Sequence, residues 1–213
     1  MTLEFAAARE NMVENQVRTN DVTDHAVQDA MGLVRRERLC PPTRLHLAYA
    51  ETAVEYAPGY ALMEPRDVAK LLQAIKPRRG ERALAIAAPY AAAVLAAIGL
   101  KVALRLAEGV SAETLVANLA EDGVATSFGD LAALGSDGPY DVLIVEGAVH
   151  KAAEAWIQLI APGGRLGVVE RTGPVGRAKL YSRNAEGGVA ERRLFDATPP
   201  MLPGFEPAPA FQF

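Results

Sequence analysis

Apolar positions recur first at helical spacing and then in an alternation of helix-like and strand-like runs. In NMVENQV, residues Met12, Val13, Gln16 and Val17 share one helical face. A second helix is signalled by Val27, Ala30, Met31 and Val34 at i, i+3, i+4 and i+7, with Thr23 placed to cap it and Val22 and Val27 placed as a hydrophobic staple. The prolines of CPPTR end that segment. From Glu64 onward the period switches back and forth. Pro65 suits a first helical turn, and Val68, Leu71, Leu72 and Ile75 make one apolar face. RALAIAA reads as a buried strand, and YAAAVLAAIG as a helix closed by Gly99. KVALRLA is a further strand, followed by a helix between a Ser111 cap and Gly123. VATSFG and YDVLIVEGA are two more strands, the second with the unbroken apolar run of a central parallel strand. A helix around Trp156, Ile157 and Ile160 stops at Pro162-Gly163-Gly164, and RLGVV is a fifth strand. AKLYSRN and VAERRLF flank AEGG as a hairpin.

This order predicts an α/β fold: a mostly parallel sheet with helices on both faces and an antiparallel pair at the end. A length of 213 residues suits one such unit, divided into an N-terminal helical extension over 1–60 and the α/β domain proper over 61–213. The Ala-rich run LAIAAPYAAAVLAAIGL is broken by Pro89 and falls short of the about 20 strongly apolar residues of a membrane span. No apolar signal core follows the charged N-terminus, and Cys40 is the single cysteine, so a cytoplasmic location without disulfides is expected. A net charge of -4 excludes a global cationic field for nucleic acid. The basic runs RRER (Arg35–Arg38) and KPRRGER (Lys76–Arg82) read as solvated helix ends and loops.

The blocks MVENQVR, AMGLVRRE, EPRDVAKLLQ, GPYDVLIVEGAV, LIAPGGRLGVV and LFDATPPMLPGF, in that order, resemble the signature blocks of protein-L-isoaspartate O-methyltransferases. The resemblance runs from about Asn11 onward. It implies a Rossmann-like methyltransferase fold, with a seven-stranded sheet, an antiparallel last strand and a ligand cleft at the carboxyl ends of the first strands. It also implies methylation of L-isoaspartyl carboxylates with S-adenosylmethionine.

Position by position, the resemblance weakens at the site it implies. The family's glycine-rich loop, which lets the backbone approach the methionine part of the cofactor, is matched here by Ala87, Ala88 and Pro89, shorter by two residues and without glycine. The acid that receives the ribose hydroxyls is matched by Arg105, which has donors only. The Ser or Thr ahead of the next helix is matched by Ala61, Leu62 and Met63 in ALMEP. Asp130, with Leu131 after it, stands where relatives contact the adenine amine, though an acid after a strand equally suits a helix cap; Glu146 lies in the central strand frame. Losing the loop bonds and the ribose pair costs about 3–6 kcal/mol, roughly a hundredfold to ten-thousandfold in affinity.

These changes predict a pseudo-methyltransferase with no catalytic residue and no cofactor, acting as a binding or scaffolding protein. Its partner is expected to be another protein, a homodimer being compatible, with neither nucleic acid nor membrane insertion involved. Tyr60 and Met63 of the old cleft, or the tail with Phe205, Phe211 and Phe213, are candidate contact surfaces. The alternative is an active S-adenosylmethionine-dependent O-methyltransferase, on L-isoaspartyl residues or another carboxylate, with a rebuilt loop supported by Asp130, the backbone near Glu146 and a repositioned acid such as Glu108. A third reading is an anionic ligand held by Arg105 and the helix N-terminus after Pro89. His25, His46 and His150 lack metal-ligand spacing to Cys40, and no G-x-S-x-G elbow exists. Cys40 reads as a buried small residue, His150 as a surface residue and Trp156 as core.

Overall fold

The computed structural model describes residues 2–134 and 138–207. An N-terminal helix α1 (Thr2–Met12) runs into one π turn (Val13–Val17) and is followed by α2 (His25–Leu33). The expected apolar stripe of α2 is buried. Its cap is Asp24 rather than Thr23: the Asp24 carboxylate accepts from the amides of Ala26 and Val27, and an acid there also complements the helix dipole. Short 3-10 turns over Arg36–Leu39 and Pro42–Leu47 lead to a hairpin absent from the sequence reading, β1 (Val54–Ala57) and β2 (Tyr60–Leu62), turned at Pro58-Gly59. The expected division at residue 60 falls inside this hairpin, and side chains from both sides of it share one apolar core.

The α/β part follows in order: α3 (Pro65–Ile75), β3 (Arg82–Ile86), α4 (Pro89–Ile98), β4 (Lys101–Ala107), α5 (Glu113–Glu121), β5 (Ala125–Gly129), β6 (Tyr140–Val149), α6 (Glu154–Gln158), β7 (Ile160–Glu170), β8 (Gly176–Arg183) and β9 (Val189–Ala197). Among the described residues, seven strands form one sheet in the order β5-β4-β3-β6-β7-β8-β9. The pairings from β5 to β7 are parallel, and the last two, β7 with β8 and β8 with β9, are antiparallel. This is the expected Rossmann-like methyltransferase architecture. Two boundaries differ. No side chain caps α5, so Ser111 does not serve there. Helix α6 is only five residues, and Ile160 through Gly164 belong to β7 because Tyr140 pairs with Ile160.

The strand period of two sorts side chains between two cores. Ala83, Ala85, Val102, Leu104, Val142 and Ile144 face the helices α3, α4 and α5. Leu84, Ile86, Leu143, Val145, Leu166 and Val168 face the other side, where Trp156 of α6 is the largest buried side chain. That second face thins toward β5, where Arg105 is half-buried and its neighbour in register, Ser127, is exposed. Across the carboxyl ends of the parallel strands runs the segment after β9. Its Pro200 carbonyl accepts from Ala148, Leu202 donates to the Ala148 carbonyl, and the Phe205 carbonyl accepts from His150.

Candidate functional site at the carboxyl ends of the strands

Each parallel strand from β3 to β6 contributes the residues that end it. After β3 the chain turns through Ala87, Ala88 and Pro89, all buried. Ala87 adopts a left-handed conformation at φ 48°, a region costing about 1–2 kcal/mol for a residue with a Cβ. Its amide donates to the Arg105 carbonyl at 2.8 Å, and its own carbonyl accepts from the Tyr56 hydroxyl at 3.4 Å. The loop has lost its glycines, yet a glycine-type turn persists. Ala87→Gly is therefore expected to leave stability within about 1 kcal/mol, relief of strain offsetting the lost methyl. Ala88→Gly, at φ -122° with nothing to relieve, is expected to cost about 1 kcal/mol or more. Urea melts of both variants check the contrast.

Glu146 sits at the centre of the site, fully buried in β6. One carboxylate oxygen accepts from the Met63 amide at 2.9 Å and the other from the Ala91 amide at 2.7 Å. Burial pushes its carboxyl above the usual range; the amide donors and the nearby Arg36 guanidinium pull the other way. Arg36 is itself fully buried, correcting its reading as part of a solvated helix end. It donates to the carbonyls of Ala48 and Met63 and lies 4.3 Å above the Tyr90 ring, while its Nη1 has no protein partner. Met63 is thus clamped at both ends of its peptide unit. Its side chain is buried, as is Ala61, so Met63 does not offer a contact surface.

At the ends of β4 and β5 the site opens. A cavity of about 200 Å3 is lined by Tyr60, Glu108, Asp130 and Leu131, with Pro203 and Phe205 as a roof. Glu108, three residues past Arg105 and named above as the acid a rebuilt site would need, is exposed on this cavity. Arg105 spends its guanidinium on the Phe128 carbonyl, at 2.7 Å, bracing β4 to β5. Asp130 also lines the cavity, and its carboxylate accepts from the Ala132 amide at 2.7 Å, as a local cap does. Leu131 is buried, and its carbonyl accepts from the Trp156 indole at 2.6 Å. Behind the roof, Phe205 stacks at 5.0 Å on Trp156; Phe211 and Phe213 lie outside the described residues. Gly147, at φ 123°, makes room for Leu202, since a Cβ there would lie 2.6 Å from the Leu202 Cγ. Gly147→Ala is expected to cost about 1–3 kcal/mol and to loosen residues 198–205, measurable as faster amide exchange at Leu202.

Other candidate chemistry is dispersed. Cys40 is buried, and burial pushes its thiol up to about 11, unsuited to a nucleophile. His150 is exposed. Among the described residues no group of three potential metal ligands occurs, and no helix is long and apolar enough to cross a membrane.

The family model for protein-L-isoaspartate(D-aspartate) O-methyltransferase matches residues 7–196. The chain belongs to the protein-L-isoaspartate O-methyltransferase family. Among its relatives, the protein-L-isoaspartate O-methyltransferase of Methylorubrum populi is 35% identical over 186 residues, covering 85% of this chain and 87% of that protein. That of Methylorubrum extorquens is 34% identical, covering 85% and 81%. A solved protein-L-isoaspartate O-methyltransferase superposes with a TM-score of 0.76 at 20% identity, over 93% of this chain and 67% of the other. A Plasmodium falciparum protein of the family, solved in complex with S-adenosyl-L-homocysteine, also reaches 0.76, at 17% identity. These two likenesses speak to the fold. The expectations of a non-catalytic role and of no cofactor find no support among these relatives, which carry the name of a methyltransferase.

Against an S-adenosyl ligand, the methyltransferase-family site divides in two. Its nucleoside end fits, with an exposed acid at the end of β4, a second after β5 and an open cavity between them. Its amino-acid end is filled: Ala87, Ala88 and Met63 are buried, and Glu146 holds the Ala91 amide of α4. The open part is smaller than the roughly 300–1,000 Å3 of most ligand pockets.

Proposed function

We propose that the chain is an S-adenosylmethionine-dependent methyltransferase of the protein-L-isoaspartate type with a rebuilt cofactor site, acting on a carboxylate of a protein substrate. The observation that supports this reading is the cavity at the ends of β4 and β5, lined by Glu108 and Asp130 although Arg105 holds the expected acid position. Glu108 supplies the acceptor pair for ribose hydroxyls, Asp130 flanks the base, and Tyr60 and Phe205 cover it. Membership of the family at 34–35% identity supports the same reading.

A second reading, a binding protein that has kept the fold without methyl transfer, is favoured by one specific observation. The loop Ala87–Pro89 and the amides beyond it are closed by the chain's own side chains. Isothermal titration with S-adenosylmethionine and S-adenosylhomocysteine to millimolar concentration, followed by methylation of an isoaspartyl peptide, separates the two. Binding together with methyl transfer is the expected result. Absence of heat from folded protein overturns the proposal in favour of the binding protein.

A further inference from the structure

Helix α4 begins where β3 ends, on the edge of the sheet that bears the cavity, and because Pro89 brings no N–H its first-turn donors start at Tyr90 and Ala91. Such amides, with the helix dipole behind them, form an anion site. A ligand whose nucleoside lies over β4 and β5 runs its tail across the neighbouring strand end, β3, toward these donors. The Ala91 donor is taken. The Glu146 carboxylate accepts from Ala91 at 2.7 Å, and its other oxygen ties down the Met63 amide of the hairpin segment above. Beneath it, Arg36 bonds the Met63 carbonyl and keeps one buried guanidinium nitrogen, Nη1, without a protein partner. The α4 amide that would receive a ligand carboxylate is therefore directed at an internal one, and the Arg36 charge near it favours that carboxylate's ionised form.

From this we infer that Glu146 stands in for the carboxylate of the ligand's amino-acid tail, so that the site selects adenosine-type nucleosides without a tail carboxylate over those that carry one. The inference rests on the proposed nucleoside position over β4 and β5. S-Adenosyl ligands then bind by displacing Glu146 from α4, at a loss of affinity, and Glu146 is a specificity-determining residue rather than a catalytic one.

Titration of the intact protein with adenosine, 5′-methylthioadenosine and S-adenosylhomocysteine tests this without mutation. The expected result is that the two tail-free nucleosides bind as tightly as S-adenosylhomocysteine or more tightly. In Glu146→Gln, checked for folding by its melting curve, S-adenosylhomocysteine gains about tenfold or more, the value of a charge-assisted bond set, while adenosine is unchanged. S-Adenosylhomocysteine binding tenfold tighter than adenosine in the unaltered protein overturns the inference and leaves the cofactor reading standing. So does a variant in which both ligands shift alike, as a purely structural role predicts, or in which neither shifts. No binding of any of the three to the unaltered protein overturns the cofactor reading and this inference together.

Discussion

Arg36→Met is expected to lower the unfolding free energy by about 3–5 kcal/mol at neutral pH, because it strips a buried carboxylate of its counter-charge. In the folded protein the guanidinium bridges Ala48 and Met63 and rests on the Tyr90 ring, close enough to Glu146 to pull that carboxyl back toward its ionised form. Methionine fills much of the volume but supplies neither charge nor donors, so two buried carbonyls also lose their partners. The deficit has a direction with pH. Glu146 titrates above its ordinary 4.5 in the folded state, so the folded protein holds more protons than the unfolded one above that value, and stability falls as pH rises. Without Arg36 the folded-state value climbs further. The deficit of the variant is therefore expected to be smallest near the ordinary carboxylate range and to widen toward neutral pH. Urea unfolding at a series of pH values checks both; a loss below about 1 kcal/mol, or one that does not change with pH, would show that Glu146 does not depend on Arg36.

Trp156→Ala is expected to cost a comparable 3–5 kcal/mol, the usual range for emptying a buried aromatic site. Trp156 is fully buried in the core on the far face of the sheet, and its indole N–H donates to the Leu131 carbonyl. It also backs Phe205, which roofs the cavity. Trp156→Phe separates these contributions. Most of the ring volume stays, while the Leu131 carbonyl loses its donor, an expected cost of about 1–3 kcal/mol. If the Phe variant proves as unstable as the Ala variant, the hydrogen bond and not the ring dominates. Thermal melts of the pair, with nucleoside titration of whichever variant folds, report stability and roof integrity separately.

Most of the sheet was legible because its residues obey simple periods. The stripe of α3 and the apolar run of β6 are long enough for burial to leave a clear trace. The hairpin at Val54–Leu62 escaped because its strands have four and three residues, although Pro58-Gly59 is a turn signal in its own right. The end of α6 was misplaced because Pro162, Gly163 and Gly164 act as a break in a helix, whereas here they begin an irregular stretch of β7 set by pairing with Tyr140. The site was harder. Periodicity cannot show that Arg36, one of four charged residues in a row, turns inward; only the packing of Tyr90 and Met63 decides that. Glu146 did leave a mark, being a charge inside the apolar run that follows Asp141 in β6, and such a residue is rarely buried without dedicated partners. The glycine-free loop was read correctly as composition but not as shape, since Ala87 takes the left-handed turn at a cost that its fixed surroundings absorb.

The segment that covers the cavity also fixes an order of events during synthesis. Residues 198–205 are translated after β1 to β9. The ends of β4 to β6, with Gly147 and Trp156, therefore wait for Leu202 and Phe205 to arrive last. A chain lacking residues 198–205 would keep its strands yet present an adhesive rim. The edge at the ends of β4 to β6 is accordingly the surface that a chaperone has most reason to hold.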